Sequence, residues 1–453
     1  MVGSLNKGYS YPFELSPLGR LKTRMDLLLL QNRIPIEFTP KLAQATAADL
    51  DIEVCPNRRD LRDTLCFTID GEDTQDIDDA VGLRCTDDGY ELSVHIADVA
   101  MYVGFDSELD AIALERGTSI YLPHQTIPML PAVLSDNLCS LQPGQDRNAL
   151  SLIISLDKQG EVKDYELTKS LIRSRVKGTY EEVNALLEGR GDLSAKAKYA
   201  DVIDTLIAMR EVAEKLHTAR TQKRIYRTHY REPQFRIDGW EIELASKQTD
   251  AAEVIIEEFM ILANRLVAEY CKKNRLPIIY RTQEEIGDTA IYELAAHHHA
   301  ELDLEHYAHF TSPIRRLADL KLHQILTAHL LGIESETLWQ DYGEHLQYAA
   351  QRATRCENRF EQIARSCKAF CIGAFLAPLQ SNEFAATVVG HDQRDHPLFL
   401  LDNYQLCITG KTGLLAYEGQ HVILKLAVID EQKGRVEVQS FKRQPGAIQQ
   451  EIA

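Results

Sequence analysis

Along the first fifty residues, apolar positions return every three or four. Leu18, Leu21, Met25, Leu28 and Leu29 follow Ser16-Pro17, a spacing that predicts a helix. Pro35 and Pro40 interrupt it, and a second short helix is expected over 40–50. Residues 1–57 thus read as a small helical module of helix-turn-helix type. From Leu65 the pattern shortens into strands over 65–69, 90–96 and 149–156, with turns at Asp87-Asp88-Gly89 and Lys158-Gln159-Gly160. Thr179-Tyr180-Glu181-Glu182 has the form of a capping box and opens a helix toward Leu187. Helical periodicity also covers 195–221, 250–272, 315–332 and 337–378. After Ala377-Pro378 come six short strand candidates: 384–389, 398–401, 405–409, 413–415, 421–428 and 435–439. That rhythm suits a small β-barrel of the OB type. The expected fold class is α+β. A mixed α/β domain over 58–379 lies between the helical module and an OB-type barrel over 380–446.

Composition narrows the class. The 453 residues are 44% hydrophobic and 26% charged, as in globular proteins with a sizeable core. The four leucines at 27–30 form the longest early apolar run, far short of the ~20 residues that cross a bilayer. With no apolar signal-peptide core either, the expectation is a cytoplasmic protein with no membrane partner. Nine cysteines without a C-x-x-C pair read as reduced thiols. The net charge of −18, taken alone, argues against a nucleic-acid binder, since phosphate contacts need Lys and Arg. It says nothing of how charge is distributed.

Charge is in fact concentrated. Residues 70–79 hold six acids: Asp70, Glu72, Asp73, Asp76, Asp78 and Asp79. A strand ends at Asp70, a Gly-containing loop follows, and three aspartates return at its far side. Four carboxylates gathered without a cation would repel one another. Hard divalent ions with oxygen ligands relieve that, and paired ions cleave phosphodiesters. A solvated acidic loop is the plainer alternative. A calcium loop is disfavoured, because D-x-D-D lacks the EF-hand order of ligands.

Arg59-Asp60-Leu61, Thr68-Ile69-Asp70 and Asp76-Ile77-Asp78-Asp79-Ala80 resemble the signature of the ribonuclease II (RNB) family of exoribonucleases. Four more blocks follow in order. They are Val94-His95-Ile96-Ala97-Asp98; Arg116-Gly117-Thr118-Ser119-Ile120-Tyr121-Leu122-Pro123; Glu257-Glu258-Phe259-Met260 with Ala263-Asn264; and His309-Phe310-Thr311-Ser312-Pro313-Ile314-Arg315-Arg316 with Asp319 and His323. Together they span about 60 to 330.

The resemblance implies a hydrolytic 3′→5′ exoribonuclease that degrades single-stranded RNA processively to nucleoside 5′-monophosphates. It implies a two-metal mechanism with Mg²⁺, or Mn²⁺ as substitute, and a monomer. Asp70, Asp76, Asp78 and Asp79 match the family's metal-binding and catalytic aspartates, and Arg315 its essential arginine. Without the other blocks, an ion pair from Arg315 to Asp319 would be the preferred reading. Tyr121 matches an aromatic that holds the final nucleotides. The phenylalanine that completes the family's clamp is missing, leaving His229 or Tyr230 to stack. Glu257, Glu258, Asn264 and Arg316 are candidate RNA contacts. The C-terminal barrel resembles an S1 domain, with Lys411, Lys425, Phe399 and Tyr404 as candidates for a single-strand groove.

Two departures stand out. About 60 residues before the catalytic blocks are too few for two cold-shock domains, and the spacer between the fourth and fifth blocks is short. Two other readings compete with the enzyme. One is a catalytically weak or inactive RNA-binding protein on the same fold. The other is a DNA-binding regulator built from the helical module and the barrel.

Overall fold

The computed structural model describes residues 17–43, 58–221, 233–238, 241–246, 250–392, 395–411, 416–430 and 435–443. At the N-terminus lie α1 (Pro17–Gln31) and the single turn α2 (Pro40–Ala43). The remainder of the second expected helix lies outside the described residues.

A five-stranded sheet organises the middle of the chain. It contains β1 (Arg59–Asp60), β3 (Asp79–Thr86), β4 (Gly89–Ala97), β7 (Asp146–Asp157) and β8 (Val162–Arg173), in the order β1-β8-β7-β4-β3. All neighbours are antiparallel except β1 and β8. At the β3–β4 turn, Gly89 takes φ +151°, and a Cβ there would meet the Leu156 carbonyl at 2.1 Å. Only glycine adopts that turn so close to β7. Two strands lie outside the sheet as a parallel pair, β2 (Thr68–Asp70) and β9 (Lys177–Thr179), with Asp70 opposite Thr179.

Helices cover the sheet. They are α3 (Glu108–Arg116), α4 (Tyr180–Leu187), α5 (Leu193–Lys198), α6 (Ile203–Thr221), α7 (Ala251–Lys273) and α8 (Leu317–Leu330). Because α6 and α7 pack over β3 and β4 while α8 packs against β8, Leu92, Val94 and Ile96 of β4 are wholly buried. Of the capping box expected at α4, the N-cap half forms, the Thr179 hydroxyl accepting from Glu182 N at 3.2 Å, whereas Thr179 N donates to the Tyr199 hydroxyl in place of the Glu182 carboxylate. The single helix expected over 195–221 is two. Tyr199 turns fully inside between them, and its hydroxyl donates to Glu182 at 2.7 Å. Burying that ring costs the helix a turn. The strand β8 escaped the sequence reading because its segment VKDYELTKSLIR is half exposed and rich in polar residues.

Four short strands form hairpins: β5 (Ile120–Leu122) with β6 (Gln125–Ile127), and β10 (Pro233–Asp238) with β11 (Glu241–Ser246). A further pair is β12 (Tyr280–Thr282) and β13 (Ile291–Glu293). The 42-residue helix α9 (Ser335–Leu376) leads to a closed barrel. Its strands are β14 (Glu383–His391), β15 (Pro397–Leu401), β16 (Leu406–Lys411), β17 (His421–Asp430) and β18 (Arg435–Arg443), in the order β14-β15-β16-β18-β17. The sixth candidate strand, 413–415, lies outside the described residues. One apolar cluster joins Leu21, Met25 and Leu29 of α1, the β5–β6 and β10–β11 hairpins, Cys367 and Cys371 of α9, and the barrel interior. The eight described cysteines are free thiols, six of them buried. Among the described residues no helix is long and apolar enough to cross a membrane.

Candidate active site

The acidic run folds into one wall of a cleft of about 780 Å³. Asp70 closes β2 and Asp79 opens β3, so the loop between them must double back. Three side-chain bonds pin that loop. Ser140 Oγ donates to the Gln75 carbonyl at 2.6 Å and accepts from Ile77 N at 3.3 Å. Lys177 Nζ donates to the Thr74 carbonyl at 2.6 Å. Asp70, Asp76, Asp78 and Asp79 thereby line the same cleft.

The carboxylates sit at a cost. Burial, followed by repulsion from Asp79 and Asp76, pushes Asp70 up to about 8. Burial pushes Asp79 up to about 6, against the pull of Arg315 and Arg316. Burial also raises Asp78 well above the carboxylate range. One oxygen each of Asp70, Asp78 and Asp79 is buried and makes no hydrogen bond. Buried charges without partners are expensive, so this donor set fits a hard cation that accepts oxygen ligands. Among the described residues no group of three or more histidine, cysteine, aspartate or glutamate side chains is drawn together closely enough to hold a metal ion. The open side of the cleft suits Mg²⁺, which keeps several waters.

Arg315 and Arg316 arrive from the loop before α8. Ile314 N donates to Asp78 Oδ1 at 2.8 Å, which ties that loop to the acidic one. Arg315 Nε lies 3.5 Å from Asp78 Oδ2, and its Nη2 donates to Ser312 Oγ at 2.8 Å. The alternative ion pair from Arg315 to Asp319 does not form. Arg316 takes that partner instead, at 2.7 Å, while still lining the cleft. Tyr121, on β5, is half exposed, yet its hydroxyl reaches the acidic wall and donates to Asp76 Oδ2 at 2.6 Å. Burial and the Asp76 charge hold that phenol protonated.

Not every candidate comes to the cleft. Glu258 is a correction: it is buried on the neighbouring face of α7, away from the cleft lining, where Arg220 donates to it at 2.5 Å and His217 pairs with it at 2.7 Å. Its neighbour Glu257, one helical step of 100° away, lines the cleft. Asn264 also lines it, and its Oδ1 accepts from Phe310 N at 2.8 Å. His229 and Tyr230 lie outside the described residues. In the barrel, Phe399 is fully buried and offers no stacking face, while Tyr404 is half-buried with Phe375 edge-on to it, ring centroids 5.4 Å apart. Lys425 pairs with Glu383 at 3.1 Å. The reading from sequence overlooked Tyr180, Glu181, Glu253, Tyr307 and Ser312, all of which line the cleft. Tyr180 is there because β2 pairs with β9, and no local pattern signals that pairing.

Comparison with known proteins places this arrangement in a class. The RNB domain model matches residues 58–296 and 286–332, more than half of the chain, so this chain belongs to the RNB family. Ribonuclease R of Chlamydia trachomatis is 33% identical over 383 residues, covering 71% of this chain and 54% of that protein. Ribonuclease R of Aquifex aeolicus is 28% identical over 500 residues, covering 92% of this chain and 70% of that one. Among solved structures, Mycoplasma genitalium RNase R in complex with double-stranded RNA superposes with a TM-score of 0.79 at 25% identity, covering 93% of this chain and 83% of that one. The chain thus spans between 54% and 70% of the length of the first curated relatives it matches.

Proposed function

We propose that this protein is a metal-dependent hydrolytic 3′→5′ exoribonuclease acting as a monomer on single-stranded RNA, processively, with nucleoside 5′-monophosphates as products. The observation that carries the proposal is the pair of buried carboxylate oxygens on Asp70 and Asp79 that accept no hydrogen bond, on residues that line a cleft with Asp76, Asp78 and Arg315. Asp70, Asp76, Asp78 and Asp79 would hold the metal. Two bound Mg²⁺ ions, or Mn²⁺ in their place, would supply an activated water and a counter-charge for the leaving oxygen. Arg315, 40% exposed and anchored on Ser312, is poised to offset charge on the phosphate oxygens. The Tyr121 ring offers a face on which a terminal base can stack without regard to sequence, a contact worth ~1–3 kcal/mol. We assign 58–379 to catalysis and 380–446 to an S1-type RNA-binding domain. The RNA named in the solved relative's complex accords with a nucleic-acid ligand for this cleft.

The test is a time course with 5′-labelled single-stranded RNA, in Mg²⁺ and in EDTA, resolved to single nucleotides. A Mg²⁺-dependent ladder that shrinks to a short labelled product supports the proposal. Intact RNA under both conditions, with binding retained, favours an RNA-binding protein on the RNB fold.

A further inference from the structure

The Tyr121 hydroxyl reaches 45 residues back in sequence to donate a 2.6 Å hydrogen bond to Asp76 Oδ2. Base stacking uses only the ring face, so a clamp alone does not call for this bond. We infer that Tyr121 has two separable tasks: its ring meets the RNA, and its hydroxyl is a positioning group for the carboxylate of Asp76. The inference rests on the metal-dependent reading of the cleft.

Asp76 needs such a partner more than its neighbours do. Asp78 is held by the Ile314 amide and flanked by Arg315. Asp70 and Asp79 sit at strand ends whose backbones are fixed by pairing with Thr179 and Ile96. Asp76 stands in the irregular loop between β2 and β3, where Ser140 pins the flanking backbone at Gln75 and Ile77 and the side chain is held by Tyr121. A donor on one carboxylate oxygen fixes the rotation of the group and leaves lone pairs on both oxygens for a cation. Partners behind a metal ligand typically contribute 10- to 100-fold in metal affinity.

The donor is itself well anchored. Ile120 and Leu122 flank Tyr121 and are buried in the cluster shared by α1 and α9. Tyr121 pairs with Thr126 across the β5–β6 hairpin. At the tip of that hairpin, His124 and Gln125 bond Asp26 of α1 at 3.1 and 3.2 Å. The hydroxyl is therefore presented by a rigid element, as orienting a ligand requires.

Tyr121→Phe removes the hydroxyl and keeps the ring. Mn²⁺ binding to the full chain, followed by calorimetry and by electron paramagnetic resonance without RNA, should weaken about tenfold. Affinity for single-stranded RNA in EDTA should stay within about twofold, whereas Tyr121→Ala should lose about tenfold, the stacking contribution of an aromatic. Unchanged or tighter Mn²⁺ binding by Tyr121→Phe would overturn the inference. So would an RNA affinity in EDTA that falls equally in both variants, since the hydroxyl would then serve RNA. A wild-type chain that bound no Mn²⁺ would bring down the metal reading of the cleft itself, and this inference with it.

Discussion

Replacing Asp79 with asparagine separates what the acidic wall does for chemistry from what it costs the fold. The side chain keeps its shape and loses its charge. In the metal-free protein the Asp79 pKa is raised from 3.8 to about 6, so the folded state holds a proton that the unfolded chain has released. The sign follows. Stability from the protonated group is fully present below about pH 4 and is lost as pH rises through 6. Roughly two pKa units at ~1.36 kcal/mol each make about 2–3 kcal/mol of destabilisation at pH 7.5. Coupling to Asp70, itself raised to about 8, spreads this over the pair. Asp79→Asn should therefore unfold at higher urea than wild type in EDTA at pH 7.5, and the difference should vanish near pH 4. The same variant should lose about 10³-fold in hydrolysis, because each ~1.36 kcal/mol of lost transition-state stabilisation is tenfold and a metal ion contributes several kcal/mol. Urea curves at the two pH values and a single-turnover RNA assay decide both parts. Equal stability at pH 7.5 refutes the electrostatic reasoning, and intact hydrolysis refutes the site.

Three further outcomes are expected. Glu258→Ala removes the buried partner of Arg220 and His217, leaving Arg220 its more exposed pair with Glu257, and should cost about 2 kcal/mol in urea denaturation; a raised KM for RNA with unaltered stability would return Glu258 to the RNA path. Asp26→Ala removes the bonds from α1 to His124 and Gln125, net about 1 kcal/mol, and should weaken single-stranded RNA binding about threefold by fluorescence anisotropy. Saturating Mg²⁺ at about 100 times its dissociation constant should stabilise the folded chain by about 2.7 kcal/mol; a melting temperature indifferent to Mg²⁺ would speak against cation binding in the cleft.

The sequence by itself determined the chemistry on offer: six acids in ten residues ahead of a core strand, an arginine pair after Ser312-Pro313, and a barrel-like strand rhythm at the end. Local rules also determined the cap of α4, because Thr179 bonds the amide three residues on. Which side chains share the cleft was decided only in three dimensions. Glu257 and Glu258 are equivalent in composition and both reach Arg220, yet the packing of α7 on α6 buries Glu258 and leaves Glu257 on the cleft. Arg315 and Arg316 differ by one position, and only the Asp78 bond to the Ile314 amide explains why the first leans on Asp78 while the second takes Asp319. Phe399 reads as a surface aromatic until the register of β15 places it inside the barrel, since one residue of register exchanges the faces of a strand. Tyr121 and Tyr180 meet the aspartates through a hairpin and a parallel strand pair that lie 45 and more than 100 residues away in sequence. Periodicity reports a residue's own helix or strand, whereas a site built from several elements is set by how those elements pack.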